Sequence, residues 1–398
     1  MRIGIDVTPL AVGKGGVPKY TWELVRHLLA HGHNHEYHLV NVSRLPSPSL
    51  QDLGGPPRVH FLSKGSWGLV FLLSRKLPLP LQAVTRWMET LLTGTSLESH
   101  LRGLDLFHSS DVLQWDARPG RNIITMFDIT TVLFPQFHTP ANIRIHQRKI
   151  AFARDIADTI IAISHSTKND LVNHCGIPAE KIRVIYPGCD HALFHVYPEA
   201  ETERVLATYQ LRPGYILHVG TLEPRKNIVR LIEAFEIAHR LGTDALLVLV
   251  GPPGWLHRPI FHRLERSPLR DKIVIVGAVP EDVLPSFYNG ARVFVYPSLY
   301  EGFGLPVVEA MACGVPVITS ATSSLPEAVG TAGILVPPDQ PEEIGRAIHQ
   351  LYHDDVEWER RRASGIIQSH RFSWEKMAEE VLALYEETVS GGISKRGA

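Results

Sequence analysis

Short apolar runs, each followed by a segment with helical spacing, repeat along most of this chain. Arg2 to Asp6, His38 to Val42, Leu104 to Phe107, Ile123 to Phe127, Thr159 to Ile163 and Arg183 to Tyr186 read as strands. Val17 to Ala30 reads as a helix between the first two. Such alternation predicts βαβ units and strands buried on both faces of a parallel sheet. A stretch with little period, Pro187 to Pro213, follows, rich in Pro and Gly; it reads as a linker that holds one short helix over Glu199 to Gln210.

The alternation then restarts. Tyr215 to Val219, Leu246 to Val250, Lys272 to Val276, Val293 to Tyr296, Val315 to Thr319 and Gly333 to Val336 predict a second parallel sheet with crossover helices. The fold class expected is α/β, two Rossmann-like doubly wound domains facing across a cleft, with boundaries at 1–195 and 196–375. The tail, Ser373 to Ser390, places Met377, Val381, Leu384 and Tyr385 on one helical face, and its helix, 376–390, is expected to pack back across the first domain. Between Ser66 and Leu101 the pattern is mixed apolar and basic, with Trp67, Phe71, Arg75, Lys76, Arg86 and Trp87. It reads either as a helical insertion or as a surface that docks on a bilayer.

Length agrees with two cores, since 398 residues exceed the ~250 to 300 at which one core stops growing. The 40 basic and 41 acidic residues leave a formal charge of −1, which disfavours an electrostatic nucleic-acid binder. Cys175, Cys189 and Cys313 are odd in number and far apart, which fits neither a disulfide framework nor a zinc site. Met1 to Asp6 reads as a strand instead of a signal segment, and no apolar run approaches a membrane span. A cytoplasmic protein is expected, with peripheral contact at the inner face of the membrane left open.

Three runs carry candidate chemistry. In Tyr300-Glu301-Gly302-Phe303-Gly304-Leu305-Pro306-Val307-Val308-Glu309 a strand is followed by a glycine loop and a helix that Pro306 would open. Glycines let the backbone approach a ligand, and helix-start N–H groups attract anions. Glu301 and Glu309 would suit sugar hydroxyls, which need acceptors; the alternative is that Glu309 only neutralises the helix start and Glu301 is a solvated loop residue. In Gly220-Thr221-Leu222-Glu223-Pro224-Arg225-Lys226-Asn227, two adjacent cations end a strand, placed to neutralise a diphosphate. In Gly13-Lys14-Gly15-Gly16-Val17-Pro18-Lys19-Tyr20, Gly15 and Gly16 open a helix, either as a plain tight turn or to bring N–H groups to a phosphate. His31, His33, His35 and His38 alternate in a polar loop, but no carboxylate or cysteine completes a defined metal set, and none is assigned.

These runs, in this order and spacing over essentially the whole chain, resemble family 4 retaining glycosyltransferases of the GT-B fold, and among them bacterial mannosyltransferases of polysaccharide assembly. The resemblance implies that Arg225 and Lys226 hold the donor diphosphate with backbone help from Gly15, Gly16 and Gly220. It implies that Glu301, Gly302, Phe303, Gly304 and Leu305 meet the donor sugar and distal phosphate, and that Glu309 takes the ribose hydroxyls. The catalytic set implied is Arg225, Lys226, Glu301 and Asp128. The partners implied are a nucleotide-sugar donor, GDP-mannose by likeness, and a glycan or lipid-linked acceptor, with no cofactor and no metal. Many relatives carry His-Asp after the strand that here ends at Met126, and this chain carries Phe127-Asp128. Phe127, Asp128, His108 and Ser164 are the acceptor-side candidates, with Ser164 alternatively a helix cap. The missing histidine leaves open a catalytically silent member that binds a sugar nucleotide or scaffolds an assembly.

Overall fold

The structure, a computed structural model, describes residues 1–12, 15–32, 34–42, 59–63, 101–110, 112–118 and 120–394. Seven strands form the first sheet: β1 (Arg2–Asp6), β2 (Glu36–Asn41), β3 (Val59–Ser63), β4 (Leu106–Ser109), β5 (Arg121–Met126), β6 (Thr159–Ala162) and β7 (Ile182–Val184). Their order is β3-β2-β1-β4-β5-β6-β7, with every pairing parallel. Six strands form the second: β8 (Tyr215–Val219), β9 (Leu247–Val250), β10 (Ile273–Gly277), β11 (Ala291–Tyr296), β12 (Val317–Ser320) and β13 (Ile334–Val336). Their order is β10-β9-β8-β11-β12-β13, again parallel throughout.

Both sheets are doubly wound, as the alternating pattern requires. Each reverses its strand order once, between β1 and β4 and between β8 and β11. Ligands of such sheets bind outside the carboxyl ends of the strands at that reversal, because the loops there diverge to opposite faces and leave a crevice. β2 begins two residues before the expected start, and β3 falls where the sequence carried no strand reading. The helix expected in the linker runs Glu199–Thr208.

The chain passes between the halves at two adjacent points. Cys189 N donates to Phe372 O at 3.2 Å, and a Cβ placed on Gly188 would lie 2.0 Å from Trp374 N. Beyond this crossing the helix Trp374–Ser394 buries Met377, Val381, Leu384 and Tyr385. It lies along the first half: Thr388 meets Thr159, Glu387 pairs with Arg183, and Glu375 pairs with His31. Of the segment 66 to 101, only Leu101 is among the described residues, and it is buried. Among the described residues no helix is long and apolar enough to cross a membrane.

Candidate functional site

The cation run follows β8. Pro224–Lys226 form a single 3-10 turn, and Asn227, at φ 60°, caps the helix Ile228–Arg240. Arg225 Nη1 donates to Glu301 Oε2 at 2.7 Å and to the Tyr300 carbonyl at 2.9 Å, while Nη2 donates to Glu223 Oε1 at 2.7 Å. Lys226 Nζ donates to Glu301 Oε1 and to Tyr296 Oη, both at 2.5 Å. Two loops 75 residues apart in sequence therefore meet at one carboxylate.

All four charges of this cluster are largely out of water. Glu301 is 7% exposed, and burial alone would raise its pKa; Arg225 and Lys226 outweigh burial and hold the carboxyl at about 2. Burial and the neighbouring guanidinium push the Lys226 ammonium down, whereas the Arg225 guanidinium is pushed up because Glu301 and Glu223 outweigh its burial. Each cation keeps donors to spare. Arg225 engages three of the five N–H groups of a guanidinium, and Lys226 two of the three of an ammonium. An anion can therefore bind without breaking the cluster. Beside it, His218 lies stacked on Tyr296 and is fully buried; its Nδ1 bonds the Val295 carbonyl at 3.0 Å, and its Nε2 has no partner.

Gly304, at φ 104°, opens the helix Leu305–Ala312, and Pro306 is its second residue, one place later than the sequence suggested. Gly302 packs so closely on the other half that a Cβ would lie 2.0 Å from the Phe127 carbonyl oxygen. Glu309 is 6% exposed; its Oε2 accepts from Tyr288 Oη at 3.0 Å, and its Oε1 accepts from Lys19 Nζ at 3.0 Å. Lys19 comes from the opposite half and also reaches Glu281 at 2.8 Å. Gly15 (φ 136°) caps the helix Gly16–His31, and a Cβ on either Gly15 or Gly16 would meet nothing within 4 Å. Among the described residues, nothing crowds these two glycines at the helix start. Gly13, Lys14 and His33 lie outside the described residues.

The acceptor-side candidates divide. Asp128 is half-buried and accepts the Thr130 amide and hydroxyl at 2.9 and 2.7 Å, which starts the helix Thr130–Leu133. Phe127 packs edge-on against Tyr20 at 5.1 Å. His108, by contrast, is buried, with Nδ1 on Tyr385 Oη at 2.5 Å and Nε2 on Thr125 Oγ1 at 2.8 Å; it fastens the last helix to the first sheet and offers no free nitrogen to an acceptor. Ser164 is the N-cap of His165–Cys175 and accepts the Thr167 amide at 3.0 Å, so its hydroxyl is likewise used within the protein. The histidine run also differs from its reading in one respect: the fold brings Glu375 and Glu379 to His31, all three exposed.

Several residues at the cleft escaped the sequence reading. Lys19 and Glu223 sat inside quoted runs without a role. Tyr288, Tyr296 and His218 lie on strands or helices where periodicity reads them only as core. Glu327 of the second half accepts the His165 and Ser166 amides at 2.8 and 2.7 Å and the Tyr186 hydroxyl at 2.9 Å, a carboxylate on a helix start across the cleft.

The chain matches two family models. Residues 202–371 match "Glycosyl transferases group 1" and residues 14–193 match "Glycosyltransferase Family 4". It is 36% identical over 271 residues to O-antigen chain mannosyltransferase B of Escherichia coli, covering 68% of this chain and 71% of that one. It is 33% identical over 249 residues to D-inositol 3-phosphate glycosyltransferase of Streptomyces bingchenggensis, covering 59% of this chain and 54% of that one. Its fold matches sucrose-phosphate synthase from Thermosynechococcus elongatus with a TM-score of 0.74 at 23% identity, covering 98% and 99% of the two chains. With its two parallel sheets and the cation and glutamate loops joined at their carboxyl ends, the chain belongs to the family 4 glycosyltransferases of the GT-B fold.

Proposed function

We propose that this glycosyltransferase is a retaining hexosyltransferase that moves mannose from a nucleoside diphosphate donor, GDP-mannose, to a glycan or lipid-linked acceptor of polysaccharide assembly. The observation that carries the reading is the Arg225–Lys226–Glu301 cluster, whose cations retain unused donors beyond the carboxyl ends of β8 and β11. Mannose rests on the likeness to an O-antigen mannosyltransferase.

In this reading the diphosphate lies between the open helix start at Gly15 and Gly16 and the spare donors of Arg225 and Lys226. Glu309 keeps acceptor capacity beyond Lys19 and Tyr288, because a carboxylate has about four lone-pair sites, and takes the ribose hydroxyls. The acceptor oxygen bonds the anomeric carbon on the face from which the phosphate leaves. The anomeric carbon–oxygen bond breaks, and the acceptor proton passes to the departing phosphate oxygen. Arg225 and Lys226 stabilise the charge growing there, a task that preorganised cations in a dry site perform without reorganisation. No resident cofactor or metal is assigned a step.

Thermal unfolding with GDP, UDP and ADP sugars tests the donor. A ligand that binds only the folded state adds about 2.7 kcal/mol at 100 times its dissociation constant. Stabilisation by GDP-mannose above the others, followed by mannose transfer with retained configuration, is the expected result. Stabilisation without any transfer identifies a silent sugar-nucleotide binder, and preference for a UDP or ADP sugar replaces the donor.

A further inference from the structure

Beside the cation turn the rim of the cleft carries groups that the donor reading leaves unused. The loop after β9 is tied to that turn: Leu222 N donates to Pro252 O at 2.9 Å and Gly254 N to Leu222 O at 3.0 Å. A Cβ on Gly254 would lie 3.1 Å from the Cβ of Glu223, the partner of Arg225. The next two residues, Trp255 and Leu256, are 50% and 55% exposed. Leu256 sits at φ 55°, a region a branched side chain occupies only under constraint and one that recurs at ligand clamps.

The opposite half completes the rim. The Phe137 carbonyl accepts Trp255 Nε1 at 2.7 Å, so the indole is clamped through its own N–H while its ring stays half exposed. Phe134, at the start of the same turn, packs on Tyr300 at 5.7 Å. The His138 ring lies 6.4 Å from the indole, tilted by 40°. Its Nε2 is buried without a hydrogen-bond partner, a costly state for a polar atom unless a ligand relieves it. Burial lowers the pKa of this imidazole, and the charges of Asp128, Arg225 and Glu223 act on it from both halves.

A fixed aromatic face next to an unsatisfied nitrogen matches a ligand with an apolar ring face edged by hydroxyls. We propose that Trp255 and His138 form the acceptor subsite, with the C–H face of an acceptor pyranose stacked on the indole and one of its hydroxyls bonded to His138 Nε2. This rests on the glycosyl-transfer reading above. Aromatic faces favour such apolar contact, and a neutral imidazole nitrogen can accept the hydroxyl proton or donate one.

The test uses the full chain saturated with whichever of GDP, UDP or ADP stabilises it. Saturation-transfer NMR is recorded on methyl α-mannopyranoside, methyl α-glucopyranoside and methyl β-galactopyranoside. At least one pyranoside is expected to bind the native chain and to weaken tenfold or more in Trp255→Ala and His138→Ala, with nucleotide affinity unchanged. Trp255→Phe, which keeps a ring and loses the clamp, is expected to retain most binding. It also separates stacking from folding, since both tryptophan variants lose the Phe137 bond. Pyranoside binding equal in native chain and variants overturns the subsite, as does nucleotide binding with no pyranoside bound. If none of the three nucleotides binds, the donor reading itself falls and the subsite with it.

Discussion

At Glu301 a single carboxylate neutralises two buried cations, so its removal has two separable effects. Glu301→Gln keeps the shape but leaves Arg225 to Glu223 alone and Lys226 without an anion. Breaking a buried pair in this way costs about 3 to 5 kcal/mol, because the remaining charge stays desolvated. Denaturant unfolding is expected to show that loss, and donor turnover is expected to fall by about 10²- to 10³-fold as the cations lose their fixed positions. Turnover unchanged in Glu301→Gln and in Lys226→Met would remove this cluster from the chemistry. Lys226 has the further value of a gauge, for it touches both Tyr296 and Glu301 and its loss alters the cluster without removing an acid.

The glycine loop between β11 and the helix Leu305–Ala312 works as an element because Gly302 lets its backbone lie directly against the other half. Thr167 Oγ1 bridges the carbonyls of Phe127 and Gly302 at 3.3 and 3.4 Å, so the loop and the end of β5 are held at van der Waals distance. Gly302→Ala would drive a methyl group into the Phe127 carbonyl and force the loop back. The expected outcome is a fall in kcat of at least tenfold with little change in nucleotide affinity. Kinetics beside a nucleotide titration read both quantities, and equal kcat would show that this contact is incidental.

For the molecule as a whole, the cleft is held shut by contacts that bridge the halves. Lys19 joins Glu309 and Glu281, Glu327 caps the helix at His165, and Tyr300 Oη donates to Asp170 at 2.5 Å. Lys19→Met combined with Glu327→Gln is expected to open the free protein, read as a larger radius of gyration in solution scattering, while nucleotide sugar restores the compact value. An unchanged radius would mean that apolar packing alone sets the closure. Acid acts on the whole fold through buried imidazoles. Burial holds His108 at about 3 and His218 at about 4, below the ordinary 6.5 of the unfolded chain. Their folded pKa is depressed, so the unfolded state binds protons first as pH falls. Stability is full above about pH 6.5 and declines below it, by about 1.4 kcal/mol per pH unit for each histidine, until the folded pKa is reached. His218→Phe is expected to flatten unfolding free energy against pH between 6.5 and 4, and an unaltered slope would contradict it. Glu301, with its carboxyl at about 2, adds a similar loss only between about 4.5 and 2.

The sequence by itself determined the two parallel sheets, most strand positions, the helical tail and the glycine-bearing runs whose side chains the fold brings together. These follow from local rules: apolar runs pair as buried strands, helical spacing defines a buried face, and glycine marks backbone that side chains must not crowd. What a side chain does once the halves meet is not written in its neighbours. His108 and Ser164 end strands as plausible acceptor contacts, yet the fold supplies them with partners at Tyr385 and Thr167. Lys19, Glu327, His138 and Trp255 read as ordinary polar or aromatic positions. They acquire their places because two sheets close over one cleft and bring together residues more than 100 positions apart. Only the tertiary structure decides such contacts, since they depend on the relative placement of two cores and on no local periodicity.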